Sequence, residues 1–183
     1  MRPITFINYS DEFKKQLAEI YSQSIIQLAP TFYNSAQIEM WANYPQQHPE
    51  AFAELLLQGD VIIAIDAHNH AIGFGQLHPH NYVSLLYVSP QISRQGIGRA
   101  IYQQLEQIAI KTHQTTISVT ASKLSKPLFK QLGFELIDTE IAVRNGIEFE
   151  RYNMVKLLLK KKAYDKRKPE IPYNRRDTVT KST

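Results

Sequence analysis

The residues best spaced for chemistry are Arg94, Gln95, Gly96, Ile97, Gly98 and Arg99. They join an apolar run, Leu85-Leu86-Tyr87-Val88, closed by Pro90, to a stretch with apolar residues at Ile97, Ile101, Leu105 and Ile108. That second spacing predicts an amphipathic helix ending near His113. The first turn of a helix leaves backbone N–H groups without intrahelical partners, and its dipole favours negative charge. Gly96 and Gly98 let a phosphate or pyrophosphate approach the backbone with no side chain in the way. Arg94 and Arg99 add forked donors that suit phosphate oxygens. The segment reads as an anion seat. The plainer alternative is two glycines that only shape a strand-to-helix turn.

Two familiar phosphate loops do not fit. A dinucleotide fingerprint needs a third small residue where this chain has Ile101, and an acidic residue about 20 positions further on. Ser118 and its neighbours supply none. A Walker A loop needs Gly-Lys-Ser/Thr, which does not occur.

The elements that must position this seat follow from pattern. Residues 3–8 alternate as a short strand, and Phe13, Leu17, Ile20, Tyr21, Ser24 and Leu28 fall at helical spacing up to Pro30. Ser35 to Ala42 reads as a helix with Ser35 as its N-cap, and His48 to Gln58 as another, closed by Gly59. Strands are expected over Val61 to Ile65, Ala71 to Leu77 and Tyr82 to Val88. After the central helix come a strand, Thr116 to Val119, and a short helix marked by Leu124, Leu128 and Leu132 and stopped at Gly133. Asn145-Gly146, the pair a type I′ turn favours, joins Leu136 to Val143 and Ile147 to Val155 as a hairpin. The order predicts an α/β fold on a mixed, mostly antiparallel sheet with one right-handed crossover. It is not a regular βαβ alternation.

On these residues, the run from Leu86 to Arg99 resembles the acetyl-CoA-binding motif of the GNAT superfamily of N-acetyltransferases. The usual form is a strand, a proline, then Gln/Arg-x-x-Gly-x-Gly/Ala at a helix start. Here the glycines match and Ser93 takes the first position. A second block, Val119-Thr120-Ala121-Ser122 followed by Pro127-Leu128-Phe129-Lys130-Gln131-Leu132-Gly133-Phe134, resembles the strand–helix–Gly-Phe ending of the same family. The resemblance covers residues 3–157. It implies the GNAT-type acyl-CoA N-acyltransferase fold, with acetyl-CoA as cofactor and an amine as acceptor. Leu86, Tyr87 and Val88 would pair their backbone with the pantetheine arm, as one strand pairs with another. Backbone N–H groups of Gln95, Gly96, Ile97, Gly98 and Arg99 would hold the pyrophosphate, with Arg94 beside them. Ser122 would stand in for the asparagine that often contacts the cofactor.

Amide formation from a thioester requires a neutral amine, although a free lysine-type amine has a pKa of about 10.4. It also requires a donor for the developing oxyanion and a proton for the leaving thiolate. Direct attack in a ternary complex is the family's usual route, and a chain with no cysteine cannot form an acyl-cysteine. The tyrosine that often serves as proton donor in the family aligns with Phe129, and no carboxylate stands on the strand before the loop. Tyr82 and Ser84 occupy its same-face positions and are the candidate catalytic residues, against a purely structural role. Otherwise proximity and water carry the proton transfers. His78 and His80 flank Pro79 in an expected solvated turn. With no third ligand in view, no metal is expected. Glu148 and Glu150 share a strand face that would suit a cationic acceptor, or simply water. Phe32, Tyr33, Trp41 and Tyr44 are either core or the lining of a pocket for an amphipathic amine.

Composition bounds the rest. A chain of 183 residues with 43% hydrophobic and 21% charged residues fits one globular domain. No apolar run is long enough to span a membrane or to serve as a signal-peptide core, so a cytoplasmic enzyme is expected. From residue 160 onward there are nine Lys and Arg against three Asp and Glu, which leaves twelve against fourteen in residues 1–159. The +4 net charge therefore sits in the tail, and nucleic acid is not an expected partner of the domain. The expected division is a catalytic domain over 1–159 and a basic, disordered tail over 160–183. The tail would be a solubilising end or a dock for an acidic partner. The resemblance implies a small-molecule or peptide amine as acceptor, and the expected assembly is a monomer or homodimer. A non-catalytic acyl-CoA sensor, favoured by Phe129, is the competing function.

Overall fold

The computed structural model describes residues 4–158, so the expected tail over 160–183 and the domain limit at 159 lie outside the described residues. The chain opens with β1 (Thr5–Asn8), then four helices: α1 (Lys14–Leu28), α2 (Ser35–Ala42), α3 (Tyr44–Gln47) and α4 (Pro49–Leu56). Three strands follow: β2 (Asp60–Ile65), β3 (Ala71–Leu77) and β4 (Tyr82–Val88). The crossover helix α5 (Ile97–Lys111) leads to β5 (Thr116–Ser122), α6 (Lys126–Gln131), β6 (Glu135–Arg144) and β7 (Ile147–Leu157).

The seven strands form one sheet in the order β1-β2-β3-β4-β5-β7-β6. Every neighbouring pair is antiparallel except β4 with β5, which the α5 crossover makes parallel. The mixed α/β sheet expected from the sequence is the one observed.

Helices cover both faces. Under α1 and α4 lie Leu17, Ile25, Phe52, Leu56, Ile63 and Phe74, all buried. Under α5 and α6 lie Leu77, Tyr102, Leu105, Ile117 and Phe129. Each such aliphatic or aromatic side chain contributes about 1.5–3 kcal/mol when fully buried. The α5 face needs glycine in β3. A Cβ on Gly75 would stand 2.9 Å from Ile101 Cγ2, and one on Gly73 would stand 3.0 Å from the Tyr87 carbonyl oxygen.

Local boundaries differ from the expected ones in instructive ways. Asn34, not Ser35, caps α2: its Oδ1 accepts from Gln37 N–H at 2.9 Å, and Gln37 Oε1 accepts from Asn34 N–H at 2.9 Å. This is a reciprocal capping box, in which the Asn34 and Gln37 side chains each satisfy one backbone donor of the other residue. The helix expected over 48–58 begins at Pro49, because the separate turn α3 precedes it and His48 breaks from helical geometry. β5 continues three residues past Val119 because β7 pairs with it as far as Ser122↔Arg151. Among the described residues, no helix is long and apolar enough to cross a membrane.

Candidate active site

The site begins where two parallel strands part. β4 pairs with β5 only at Tyr82↔Ser118 and Val83↔Val119, although β4 runs on to Val88 and β5 to Ser122. Beyond Val83, β4 keeps β3 on one side, with Gly75↔Leu86, Phe74↔Tyr87 and Gly73↔Val88, and has no strand on the other among the described residues. A cleft therefore opens between the carboxyl ends of neighbouring strands, as it does at the switch points of open α/β sheets. Its β4 wall offers unpaired backbone groups at the depth of Leu86, Tyr87 and Val88.

The glycine turn read from the sequence as an anion seat stands at the end of β4, beside this cleft. Ser89 and the short turn Pro90–Ile92 lead to Gly96, which caps α5 at φ 84°. That left-handed conformation is one glycine adopts without strain. The helical ladder starts with Ala100 N–H donating to the Gly96 carbonyl at 3.0 Å. Before it, the N–H groups of Gly96, Ile97, Gly98 and Arg99 meet no acceptor among the described residues. Ile97 is buried and anchors the turn, whereas Arg94, Gln95, Gly96 and Arg99 are exposed around it. A Cβ on Gly98 would sit 3.5 Å from both Val88 Cγ2 and Leu128 Cδ2, so this glycine is where β4, α5 and α6 converge. The donors, the open strand edge and the two arginines fit a ligand with a pyrophosphate and an extended, amide-bearing arm.

Across the cleft, Ser122 ends β5. Its Oγ lies 3.1 Å from Ser125 Oγ and accepts from Ser125 N–H at 3.1 Å, so the two serines brace the entry to α6. Lys123 N–H donates to the Tyr33 hydroxyl at 2.8 Å, which ties the α1–α2 connection to this turn. Lys123 Nζ pairs with Glu150 at 2.9 Å, and the Tyr152 hydroxyl donates to the same carboxylate at 2.8 Å. Both bonds hold the Glu150 carboxyl below its ordinary range, the lysine first. Glu150 is thus already neutralised. Glu148 contributes its backbone carbonyl, which accepts from Gln37 at 2.7 Å.

Tyr87 separates the two sides. Its neighbours Leu86 and Val88 pack toward α5, whereas its own ring lies 4.4 Å from Tyr21 on the α1 side. Trp41 Nε1 donates to its hydroxyl at 3.3 Å, and burial pushes that hydroxyl up to about 12. Tyr33, Trp41 and Phe149 continue the cluster edge to face, with Tyr33–Trp41 centroids at 5.5 Å. Of the four aromatics singled out in the sequence, only Phe32 is strongly exposed, at 43%. Tyr82 and Ser84 stand at the closed end of the cleft. The Tyr82 hydroxyl has no hydrogen-bond partner among the described residues, and Ser84 Oγ donates to Gln76 Oε1 at 2.8 Å. Phe129 is buried at 2% exposure between Tyr102 and Phe134, a core position for an aromatic ring. His78 N–H donates to the Tyr82 carbonyl at 2.9 Å, closing the tight β3–β4 turn.

Two features of the cleft region have no local mark in the sequence. Gln76 lies within the apolar run of β3, where nothing nearby signals its partners. Tyr33 and Lys123 are 90 residues apart, so their hydrogen bond has no local signal either. Asn34-x-x-Gln37 is the one arrangement whose capping pattern was readable.

This geometry agrees with comparison to known proteins. The family model described as Acetyltransferase (GNAT) domain matches residues 29–156. The chain is 27% identical over 154 residues to the uncharacterized N-acetyltransferase YafP of Escherichia coli (strain K12), covering 84% of this chain and 96% of the relative. Its fold is similar to the GCN5-related N-acetyltransferase of Rhodopseudomonas palustris, with TM-score 0.81, 24% identity, and 86% and 98% of the two chains covered. It is also similar to PaiA N-acetyltransferase from Thermoplasma acidophilum, solved in complex with coenzyme A, with TM-score 0.68, 17% identity, and 85% and 99% covered. A parted β4–β5 pair beside a helix start with four free N–H groups, together with a family match over most of the chain, shows that it belongs to the GNAT acetyltransferase family.

Proposed function

We propose that this protein is an N-acetyltransferase that takes the acetyl group of acetyl-CoA and delivers it to a primary amine of a small molecule or peptide. Transfer would proceed by direct attack in a ternary complex. The observation that carries this reading is the open β4 edge leading straight into the unpartnered N–H groups at the start of α5. When bound, acetyl-CoA supplies an activated acetyl thioester. The chain itself provides the rest. Gln95, Gly96, Ile97, Gly98 and Arg99 bind the pyrophosphate through backbone N–H groups, where a helix terminus already favours negative charge. Arg94 and Arg99 add guanidinium donors at the rim. Leu86, Tyr87 and Val88 orient the pantetheine arm by strand-like bonding, and Ser122 closes the opposite wall. Val88 and Leu128 pack beside Gly98. Tyr82, one residue before the last β4–β5 pair, has a hydroxyl with no hydrogen-bond partner among the described residues and is the group proposed to move a proton, at its Oη. A working place in the cytoplasm completes the proposal.

Calorimetric titration with acetyl-CoA tests the cofactor, with NADH and ATP as controls. Binding of acetyl-CoA alone is expected, followed by thiol release on addition of an accepted amine. Gly98→Val should weaken that binding about tenfold or more, the equivalent of one lost charge-assisted contact, without changing the circular dichroism spectrum. The fold has room for a Cβ there, whose nearest contacts are 3.5 Å away. Unchanged affinity in this variant would remove the phosphate-loop assignment.

A further inference from the structure

β4 carries one residue more than its partner strand needs. Leu77 of β3 stands opposite Val83 and Gln76 opposite Leu85, which leaves Ser84 without a register partner. The extra residue changes which face the strand presents. Val83 lies in the α5-side cluster with Leu77 and Tyr102, yet Leu85 lies in the opposite cluster with Phe52 and Phe74. In a regular strand, residues two apart share a face. The bulge reverses that order, and so sends Leu86 and Val88 toward α5 and Tyr87 toward Tyr21. Pairing with β5 also stops at the residue just before it, Val83. Ser84 therefore marks the fork at which the cleft opens.

A polar chain, with Gln76 buried and Ser84 half-buried, holds that fork. Gln76 is 0% exposed, in the middle of a sheet face that is otherwise apolar. Its Nε2 donates to the Leu55 carbonyl and to the Gln58 carbonyl at 2.7 Å, both at the carboxyl end of α4. Its Oε1 accepts from Ser84 Oγ at 2.8 Å, and the Gln76 backbone carbonyl lies 3.4 Å from the same hydroxyl. Both hydrogens of the amide and the proton of the serine are thus committed inside the protein. Loss of one partner in such a chain leaves a buried acceptor unsatisfied, which is the expensive way to break a hydrogen bond. The bulge is fastened to the end of a helix and cannot slide along β3.

We propose that Ser84 is a positioning residue whose hydroxyl, latched to Gln76, pins the β4 bulge and so holds open the strand edge that receives the pantetheine arm. This rests on reading the cleft as the acetyl-CoA site. In this role Ser84 moves no proton; it acts through Gln76 and the backbone. The full chain carrying Ser84→Thr is compared with Ser84→Val, which is isosteric with threonine and lacks the hydroxyl, and with Ser84→Ala. In calorimetry with acetyl-CoA, the Val and Ala variants should bind about tenfold more weakly than wild type, while Thr stays within about twofold. Equal affinities for the Thr and Val variants would overturn the latch. Amide hydrogen exchange gives a readout that needs no cofactor: β4 amides should exchange about tenfold faster in the Val variant than in the Thr variant, with β2 amides unchanged. If wild type binds no acetyl-CoA, the reading of the cleft fails, and the exchange experiment still judges the latch. Equal β4 protection in the two variants would then reject it.

Discussion

Tyr82 and Ser84 are two hydroxyls two residues apart in different surroundings. Ser84 spends its proton on a buried amide oxygen, whereas Tyr82 has no partner among the described residues. A group free to exchange its proton suits acid–base work, and general acid–base catalysis contributes about 10²–10⁴-fold. Tyr82→Phe should therefore lower kcat for thiol release about a hundredfold while leaving the acetyl-CoA affinity unchanged. A variant with wild-type kcat would move the proton transfer to water. Phe129 cannot take that part, because a phenyl ring has no proton to transfer; it packs in the core between Tyr102 and Phe134. At Gly96 the need is conformational: φ is 84°, and nothing lies within 4 Å of a built Cβ, so glycine serves the backbone there and makes no room for packing.

At the scale of elements, the site depends on how closely α5 lies on the sheet. Gly73 and Gly75 remove two side chains from β3, and Ile101 and Leu105 fill the space. Gly75→Ala would place a Cβ 2.9 Å from Ile101 Cγ2, 3.0 Å from Leu105 Cδ1 and 3.2 Å from Leu86 Cδ1. Overpacking of this kind costs about 1–3 kcal/mol. Urea unfolding should register that loss. Because Leu86 lies on the open edge of the cleft, acetyl-CoA should also bind more weakly. An alanine variant as stable as wild type would mean that α5 shifts without penalty. The far end of α5 is fixed to β7 through Glu106, which accepts from the buried Tyr102 hydroxyl at 2.8 Å and pairs with Lys156.

Across the whole molecule, a few charged contacts join segments distant in the chain. Lys123 and Glu150 link the β5–α6 turn to β7, and Tyr33 adds the α1–α2 connection. The Lys123 and Tyr152 hydrogen bonds hold the Glu150 carboxyl below its ordinary value of 4.5, and Glu150 in turn raises Lys123 above 10.5. A lowered carboxylate stabilises the fold at pH above its unfolded value, and that contribution is lost as pH falls through the folded value. For the raised lysine, stabilisation is complete below 10.5 and lost as pH rises through the folded value. Asp11, held down by Lys14 and Tyr9, and Asp66, held down by backbone N–H groups of His70 and His68, act in the same sense as Glu150. The urea midpoint should therefore be flat near neutral pH and fall below about pH 4. Glu150→Gln should make that acid decline shallower. An identical acid profile in the variant would show that solvent screens the pair completely, as it does for many exposed ion pairs.

Local rules made the fold legible in the sequence. Period-two and helical apolar spacing located the strands and helices, Asn145-Gly146 announced the hairpin, and Gly96-Ile97-Gly98 after Pro90 announced the glycine turn into α5. Those signals act within a few residues of one another, so the linear chain contains them entirely. Strand pairing does not. The end of β4–β5 pairing at Val83, the unmatched Ser84 and the burial of Gln76 against the end of α4 depend on segments that meet only after folding. Sequence reasoning could therefore place Ser84 beside the cleft, but could not say what its hydroxyl touches. Gln76 was invisible as a site residue, because a buried amide differs from an exposed one only in its partners. Local propensity wrote the elements and the glycine turn into α5, and long-range packing decided where the sheet opens.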